Sequence, residues 1–166
     1  MLDDISALLR GARLSVLTGA GMSTDSGIPD YRGPETRRRA RSPIQYRQFV
    51  DDHAHRQRDW ARSAIGWPRF KRAHPNVAHE ALAQLERTGC MSGLITQNVD
   101  RLHHRAGSQQ VVELHGALAE VRCLSCDALS DRDHMQQRLE RCNPDWGQER
   151  GPMAPDGDVD IESQRI

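Results

Sequence analysis

Residues 13–21 read RLSVLTGAG, and this stretch decides the fold class. Its apolar, β-branched part, Arg13–Thr18, is typical of a buried strand, and Gly19-Ala20-Gly21 is typical of a tight turn directly after it. Glycine lacks the Cβ that blocks a close approach, so the backbone N–H groups of such a turn can contact a phosphate. The turn alone is weak evidence for a nucleotide site, because Thr24 stands where the dinucleotide fingerprint has its third glycine. A plain glycine turn is the simpler alternative.

Two further segments have the character of strands, GLIT at 93–96 and VVEL at 111–114. A helix is predicted before them over 76–88, with Asn76 as its N-cap and Gly89 as its stop. Its apolar residues recur at helical spacing, at Ala78, Ala81, Leu82 and Leu85. Strands that alternate with helices predict a doubly wound, Rossmann-like parallel sheet, whose ligands bind outside the carboxyl ends of the strands. The polar residues that follow each strand are therefore the candidates for a site.

Four less regular segments complete the chain. The spacing of apolar residues predicts a short helix over 99–106, and residues 43–63 are interpreted as helix and loop over the sheet. Residues 130–133 (SDRD) resemble a capping box that begins another helix at Ser130. Residues 147–166 have no periodic apolar face and are expected to be an exposed loop.

Composition and charge exclude several classes of protein. The chain has 166 residues, of which 37% are hydrophobic, which suits one domain with a small appendage. Its formal net charge is zero, so no overall field favours nucleic acid or a membrane surface as partner. No apolar run approaches the roughly 18 residues that span a bilayer, and Arg10 and Arg13 interrupt the N-terminal stretch. We expect a cytoplasmic protein, whose four cysteines are metal ligands or buried thiols rather than disulfides.

Three motifs together indicate a family. Residues 18–33 read TGAGMSTDSGIPDYRG, a stretch that is rich in turn formers yet holds an aromatic residue and an arginine, as ligand-covering loops do. TQNVD follows at 96–100 and ELHG at 113–116. In this order the motifs resemble the sirtuin (Sir2-like) family of NAD-dependent protein deacylases. The resemblance covers nearly all of residues 5–130.

The resemblance implies which residues contact NAD. The first motif would hold the pyrophosphate and close over the nicotinamide riboside, and the second would meet ribose hydroxyls and the carboxamide. The residues implied for the pyrophosphate are Gly19, Ala20, Gly21 and Ser23. Those implied for the nicotinamide riboside are Asp30, Tyr31 and Arg32. Those implied for the ribose hydroxyls and the carboxamide are Gln97, Asn98, Val99 and Asp100.

His115, Asn98 and Asp100 are the residues that the resemblance implies for catalysis. An amide oxygen is a weak nucleophile, so the site must hold it in line with C1′ of the ribose while nicotinamide leaves. A base is then needed for a ribose hydroxyl, and the imidazole of His115 suits that task. Each has a simpler explanation: Asp100 also stands where a helix cap is expected, and His115 where a strand ends.

The implied activity is removal of acyl groups from lysine in proteins or peptides, with transfer of the acyl group to the ADP-ribose of NAD and release of nicotinamide. The segment from Arg37 to Pro68, followed by Pro75-Asn76 and Ala78-His79, looks most like the class II sirtuins. NAD-dependent ADP-ribosyl transfer in the same pocket is one alternative, and an inactive NAD-binding or protein-docking fragment is another. The basic run at 37–41 (RRRAR) is either a solvated face or a site for acidic acyl groups.

Cys123 and Cys126 have the C-x₂-C spacing of zinc ligands. A structural zinc site usually has four ligands, often supplied by two such pairs, so these two cysteines are expected to form half of a site. Either Cys142 or His134 supplies a third ligand, or the missing ligands lie beyond Ile166; we favour the second alternative. Cys90 is expected to be a small buried side chain.

The resemblance also divides the chain. Residues 1–118 are expected to be the N-terminal part of an NAD-binding, Rossmann-like catalytic domain. Residues 119–166 are expected to be the start of an incomplete zinc-ribbon-type module with an exposed tail. Since the family's later motifs are absent, we expect a truncated chain whose partial sheet leaves an open edge and an uncovered apolar face, which favours self-association.

Overall fold

The computed structural model describes residues 7, 9–33, 44–145, 151–159 and 161. In chain order its elements are β1 (Leu14–Thr18), a 3-10 helix (Ala20–Ser26), α1 (Tyr46–Asp51), α2 (His53–Lys71), α3 (Val77–Arg87), β2 (Met91–Thr96), α4 (Leu102–Ala106), β3 (Val111–Glu113), β4 (Glu120–Arg122), β5 (Leu129–Asp131) and α5 (Arg132–Cys142). Contacts divide the chain into two compact units. The first comprises Met1–Ser26 and His74–Ala117, and the second Gly27–Ala73 and Leu118–Ile166. The basic run at 37–41 lies outside the described residues.

A parallel three-stranded sheet in the order β1-β2-β3 forms the centre of the first unit. This confirms the predicted α/β fold with a partial Rossmann-like sheet. Thr18 of β1 pairs with Thr96 of β2, and Thr96 pairs with Glu113 of β3. Because parallel strands in register end at the same edge, the segments that follow all three strands begin side by side.

The two faces of this sheet differ in exposure. On one face Leu94 is buried, and α3 packs against β2 with Ala83 completely buried. On the other face Leu17, Ile95 and Val112 lie side by side in register, and they are 64%, 37% and 55% exposed. An apolar sheet face is therefore open to solvent in the part of the chain that the structure describes, as the sequence led us to expect.

The predicted start and stop of the helix over 76–88 are confirmed. The side chain of Asn76 accepts hydrogen bonds at the start of α3, and Gly89, with a φ of 75°, directly follows the C-cap Thr88. The predicted capping box at Ser130 is wrong. Ser130 lies inside β5, and Asp131 is the N-cap of α5, because its carboxylate accepts the N–H groups of Asp133 and His134.

In the second unit, α2 packs against α5 around a proline. Pro68 has no N–H to bond the carbonyl of Ala64, and the side-chain amide of Gln136 donates to that carbonyl at 2.9 Å instead. The guanidinium of Arg132 lies 5.4 and 5.3 Å from the ring centres of Trp60 and Trp67. The contact between the two helices thus combines cation–π contacts of the buried Arg132 with a hydrogen bond from Gln136 to the carbonyl of Ala64.

Residues 151–159 and 161 correct the expectation of an exposed loop over 147–166. Val159 and Ile161 are 1% and 9% exposed and pack with Ala61 of α2. The N–H of Val159 donates to a carbonyl of α2. The backbone at Gly157 lies against Gly66, where a Cβ would clash. Because neither glycine has a side chain, the two backbones can meet here. The burial of Val159 and Ile161 depends on this approach and not on periodic spacing, so the sequence pattern does not predict it. Among the described residues, no helix combines the length and apolar character needed to cross a membrane.

Candidate functional site

The glycine turn joins β1 to the 3-10 helix at the carboxyl edge of the sheet. A Cβ added to Gly21 would meet no atom within 4 Å, and one added to Gly19 would meet only the side-chain nitrogen of Gln97, at 4.0 Å. The backbone of the turn is therefore accessible from outside, which suits a site for an anionic group. The residues present fit the pyrophosphate of a dinucleotide on this criterion.

Ser23, Asn98 and Asp100 form one hydrogen-bonded cluster. The hydroxyl of Ser23 donates to Oδ2 of Asp100 at 2.7 Å and accepts from Nδ2 of Asn98 at 3.1 Å. Ser23 and Asn98 are buried, with 1% and 8% exposure. The structure thus joins the first motif to the second through side chains.

Asp100 serves two parts of the protein at once. Besides accepting from Ser23, its other oxygen accepts the N–H of Leu102 at the start of α4, at 2.8 Å. The intervening Arg101 has a φ of 58°, in the left-handed region that few non-glycine residues adopt. Arg101, and not Asp100, stands at the N-cap position of α4, but the Asp100 carboxylate accepts the first N–H of that helix in addition to its link to the glycine turn.

His115 follows β3, and the structure places it next to the second motif. Its Nδ1 lies 3.0 Å from the carbonyl oxygen of Gln97, the residue before Asn98. A carbonyl can only accept, so Nδ1 donates to it, and in the neutral form of the ring Nε2 keeps a lone pair. The side chain is exposed. A neutral imidazole with Nε2 unprotonated can take a proton from a bound hydroxyl.

The remaining candidates from the sequence lie in different surroundings. Asp30, Tyr31 and Arg32 belong to the second unit, where a carboxylate oxygen of Asp30 accepts the N–H of Gly33 at 2.6 Å and Tyr31 and Arg32 are exposed. Val99 is half-buried in the first unit. Ala20 begins the 3-10 helix.

Behind the turn, polar side chains make contacts that no motif in the sequence indicates. The side-chain amide of Asn76 donates to the carbonyl of Met22 at 2.9 Å and to the hydroxyl of Ser26 at 3.0 Å. His103 is buried against Thr18, whose hydroxyl lies 2.9 Å from Nε2 of the imidazole. The sequence does carry one sign of this contact, a threonine at the end of each of the first two strands. A search for periodic apolar residues passes over it, because threonine is polar.

The two cysteines of the predicted half-site occupy a tight turn between β4 and β5. The backbone N–H groups of Ser125 and Cys126 lower the pKa of the Cys123 thiol, as suits a metal-binding thiolate. Among the described residues no three histidine, cysteine or acidic side chains are grouped so as to hold a metal ion. The two thiols therefore fit half of a tetrahedral zinc site and do not fit a complete one. Cys90 is exposed, which corrects the expectation of a buried thiol.

Comparisons with known proteins agree with the arrangement of the three motifs. The family model for the Sir2 family matches residues 19–156. An NAD-dependent protein deacetylase of Xanthomonas axonopodis pv. citri is 51% identical over 153 residues, which is 92% of this chain and 52% of that protein. The bovine NAD-dependent protein lipoamidase sirtuin-4, mitochondrial, is 48% identical over 93% of this chain and 50% of its own length.

Solved structures show the same likeness. A structure described as Sir2-p53 peptide-NAD+ has a TM-score of 0.71 and 35% identity, covering 96% of this chain and 61% of that one. The chain thus spans about half the length of the curated relatives it matches. Since the family model covers most of the residues, including all of the cluster around Asn98, the chain belongs to the Sir2 family.

Proposed function

We propose that the protein is an NAD-dependent protein lysine deacylase that transfers the acyl group to the ADP-ribose of NAD and releases nicotinamide. One observation carries this proposal: the Ser23–Asn98–Asp100 cluster lies at the carboxyl edge of the sheet beside a histidine whose Nε2 has a free lone pair. The names of relatives with about 50% identity support it.

In this proposal the glycine turn and the polar cluster bind the nucleotide. The exposed backbone of Gly19, Ala20 and Gly21 would receive the pyrophosphate, with Ser23 beneath it. Gln97 and Asn98 would orient the ribose, and Val99 and Asp100 the carboxamide. Asp30, Tyr31 and Arg32 are proposed to cover the nicotinamide end. Because Asn98 and Asp100 are already held by Ser23, little ordering is left for the moment of binding.

When bound, NAD supplies the electrophilic ribose carbon that the acyl oxygen attacks as nicotinamide departs. The protein's part is to orient and to move one proton. The carbonyl of Gln97 fixes the imidazole of His115 with Nε2 directed away from that bond, and Nε2 would remove the proton of a ribose hydroxyl. Asn98 would hold the ribose in the orientation that this proton transfer needs.

The proposed substrates are acyl-lysine side chains of proteins or peptides. A related structure is described as Sir2 bound to acetylated peptide, which makes an acetyl-lysine peptide the first probe. The name of the bovine relative makes a lipoyl-lysine peptide the second. We also propose a cytoplasmic location, because all four cysteines are free thiols, as is usual in reducing compartments.

Zinc belongs to this proposal only as a partial site. We place two of its four ligands at Cys123 and Cys126, within a small module that begins near residue 119. No step of the proposed reaction passes through the metal.

The deciding experiment is a nicotinamide-release assay on the 166-residue chain with NAD and each acyl peptide. We expect release that depends on the peptide and falls about 10²- to 10⁴-fold in His115→Ala, the usual contribution of a general base. His104→Ala, an exposed histidine on α4, is the matched control and should keep its activity. Equal rates for His115→Ala and the control would reject the proposal. Labelling of proteins by NAD without an acyl peptide would instead favour ADP-ribosyl transfer.

A further inference from the structure

Two histidines lie side by side in the interior of the first unit, His79 on α3 and His103 on α4. Their ring centres are 4.8 Å apart, and they are 0% and 1% exposed. Each ring leaves one nitrogen without a hydrogen-bond partner among the described residues, Nε2 of His79 and Nδ1 of His103. Unpartnered buried nitrogens are costly, so two of them on adjacent rings require an explanation.

The hydrogen bonds of Thr18 favour one tautomer of His103. The oxygen of the Thr18 hydroxyl lies 2.9 Å from the hydroxyl of Thr96 and 2.9 Å from Nε2 of His103. When the single hydrogen of Thr18 is donated to Thr96, Thr18 accepts from Nε2–H of the imidazole. Nδ1 of His103 is therefore an acceptor.

The cap of α3 offers Nδ1 of His79 two partners, both in Asn76. The backbone N–H of Asn76 lies 3.3 Å away and can only donate, and the side-chain oxygen of Asn76 lies 3.0 Å away and can only accept. That oxygen already accepts from the backbone N–H groups of Ala78 and His79, which favours Nδ1 as the acceptor of the Asn76 N–H. In that tautomer Nε2 of His79 carries the hydrogen, and the two unpartnered nitrogens are one donor and one acceptor.

We propose that His79 and His103 form a neutral pair, in which Nε2–H of His79 donates to Nδ1 of His103 through one buried water, and that this pair positions the glycine turn through Thr18. A single water between a donor and an acceptor is a common way to satisfy buried polar atoms. The inference rests on the proposed function, since it assigns the pair to the nucleotide site. Both histidines are positioning residues, because neither lies on the exposed side of the turn.

The bonds of Thr18 and Thr96 carry the effect of the pair to the site. Thr18 immediately precedes Gly19, and its carbonyl accepts the N–H of Gln97 at 3.0 Å. The hydroxyl of Thr96 accepts the N–H of Asn98 at 3.0 Å. The ring of His103 therefore fixes the ends of β1 and β2 against each other, and with them the two segments proposed to bind NAD.

Electrostatics keeps the pair neutral. Burial, followed by the neighbouring His79, lowers the pKa of His103 to about 4, and burial lowers the pKa of His79 as well. Asp100 acts in the opposite direction on both rings, and His104 adds to the lowering at His103. A charged ring of His103 would carry hydrogens on both nitrogens and could no longer accept from His79.

The first test needs no substitution. Ring-nitrogen NMR of the 166-residue chain with ¹⁵N-labelled histidine reports the tautomer and titration of each histidine. We expect both His79 and His103 as Nε2–H tautomers, with His103 neutral from pH 8 down to about pH 5 and His79 titrating below the usual range of a histidine. An Nδ1–H tautomer of His103, or its titration near pH 6.5, would overturn the pair.

The second test separates positioning from simple packing. His103→Gln keeps an N–H donor for Thr18, and His103→Phe removes it while filling the space. Amide hydrogen exchange at Asn98 should accelerate about tenfold in the Phe variant and by less than about threefold in the Gln variant. His104→Phe, the same change at the next residue, should leave the exchange unchanged. Equal exchange in the Phe and Gln variants would contradict the positioning role.

Binding of NAD then distinguishes the failure of this inference from that of the proposed function. We expect the dissociation constant for NAD to rise about tenfold in His103→Phe and to recover in His103→Gln. If the wild-type chain bound no NAD while the tautomers and exchange followed expectation, the proposed function would fail and the pair would stand. Unaltered NAD affinity and exchange in His103→Phe would reject the pair and leave the proposed function intact.

Discussion

Ser23 and Asn98, which are 75 residues apart in the sequence, are joined by a hydrogen bond of 3.1 Å at the carboxyl edge of the sheet. The bond ties the glycine turn after β1 to the segment after β2. Ser23 also donates to Asp100, so a single buried hydroxyl holds two polar residues of the second motif. The site therefore has its polar side chains in place before any ligand binds, which limits the entropy lost on binding.

Ser23→Ala tests this arrangement. Removal of the hydroxyl leaves the side chains of Asn98 and Asp100 each without a partner that they have in the wild type. We expect a loss of about 1–3 kcal/mol in the free energy of unfolding, measured by urea denaturation, and weaker binding of NAD by calorimetry. Ser92→Ala, at an exposed serine of β2, is the matched control and should change neither quantity. Wild-type stability and affinity in Ser23→Ala would show that the hydroxyl is dispensable.

The stability of the second unit should decrease as the pH rises. Burial, then the nearby Asp156 and Asp59, raises the pKa of Asp158 to about 8, although Arg62 lies 3.8 Å away and opposes this. An unfolded aspartate has a pKa of about 3.9, so between pH 4 and 8 the folded chain binds the extra proton. Protonated Asp158 therefore stabilises the fold fully below pH 4, and this contribution is lost as the pH rises through 8.

Asp158→Asn removes this dependence. We expect the variant to melt a few degrees above the wild type at pH 8 and close to it at pH 4, as measured by calorimetry. Asp127→Asn, at an exposed carboxylate, should follow the wild type at both values. A variant that melted below the wild type at pH 8 would show that the ion pair with Arg62 outweighs the cost of burying the charge.

Metal removal tests the half-site at Cys123 and Cys126. Two thiolates hold zinc weakly, so zinc bound to the 166-residue chain should be removed by EDTA with a change in melting temperature below about 2 °C. Zinc content is measured by atomic absorption, with Cys123→Ser and Cys126→Ser beside Cys90→Ser as control. Zinc at one equivalent that resists EDTA, and whose removal unfolds the chain, would mean that further ligands complete the site.

The open apolar sheet face, formed by Leu17, Ile95 and Val112, should promote self-association. β3 is the outer strand of the sheet in the described part of the chain, and Val112 lies on it with 55% exposure. We expect Val112→Lys to shift the chain toward the monomer in sedimentation velocity, because a charge on an edge strand opposes pairing. Val77→Lys, at a still more exposed valine on α3, should not. A monomeric wild type at the highest concentration measured would refute the expectation.

Residues of the site could be predicted from the sequence where they belong to a contiguous motif, and could not where they stand alone. The glycine turn, TQNVD and ELHG are contiguous, and contiguous motifs are readable without coordinates. The buried His79 and His103 carry no such signal, because a histidine on a helix is as consistent with solvent exposure as with burial. Their neighbours in space come from β1, β2 and α3, which are separated by 85 residues in the case of Thr18 and His103.

The end of the described chain shows the same limit for the fold. Val159 and Ile161 stand among prolines, glycines and acids, and this composition predicted an exposed loop. Burial of these two side chains depends on Gly66 and Gly157, which let two backbones meet where any side chain would clash. Complementarity of this kind is a property of two distant surfaces and leaves no periodic pattern in either segment.

Local propensity and contiguous motifs were enough to predict the alternation of strands and helices, the parallel sheet, the helix cap at Asn76 and the family. The coordinates were needed to find that Ser23 holds Asn98 and Asp100, that the Gln97 carbonyl orients the His115 ring, and that two histidines lie together behind the turn. These relationships are hydrogen bonds between segments far apart in the chain, and their existence depends on distances and directions that only the folded sheet establishes.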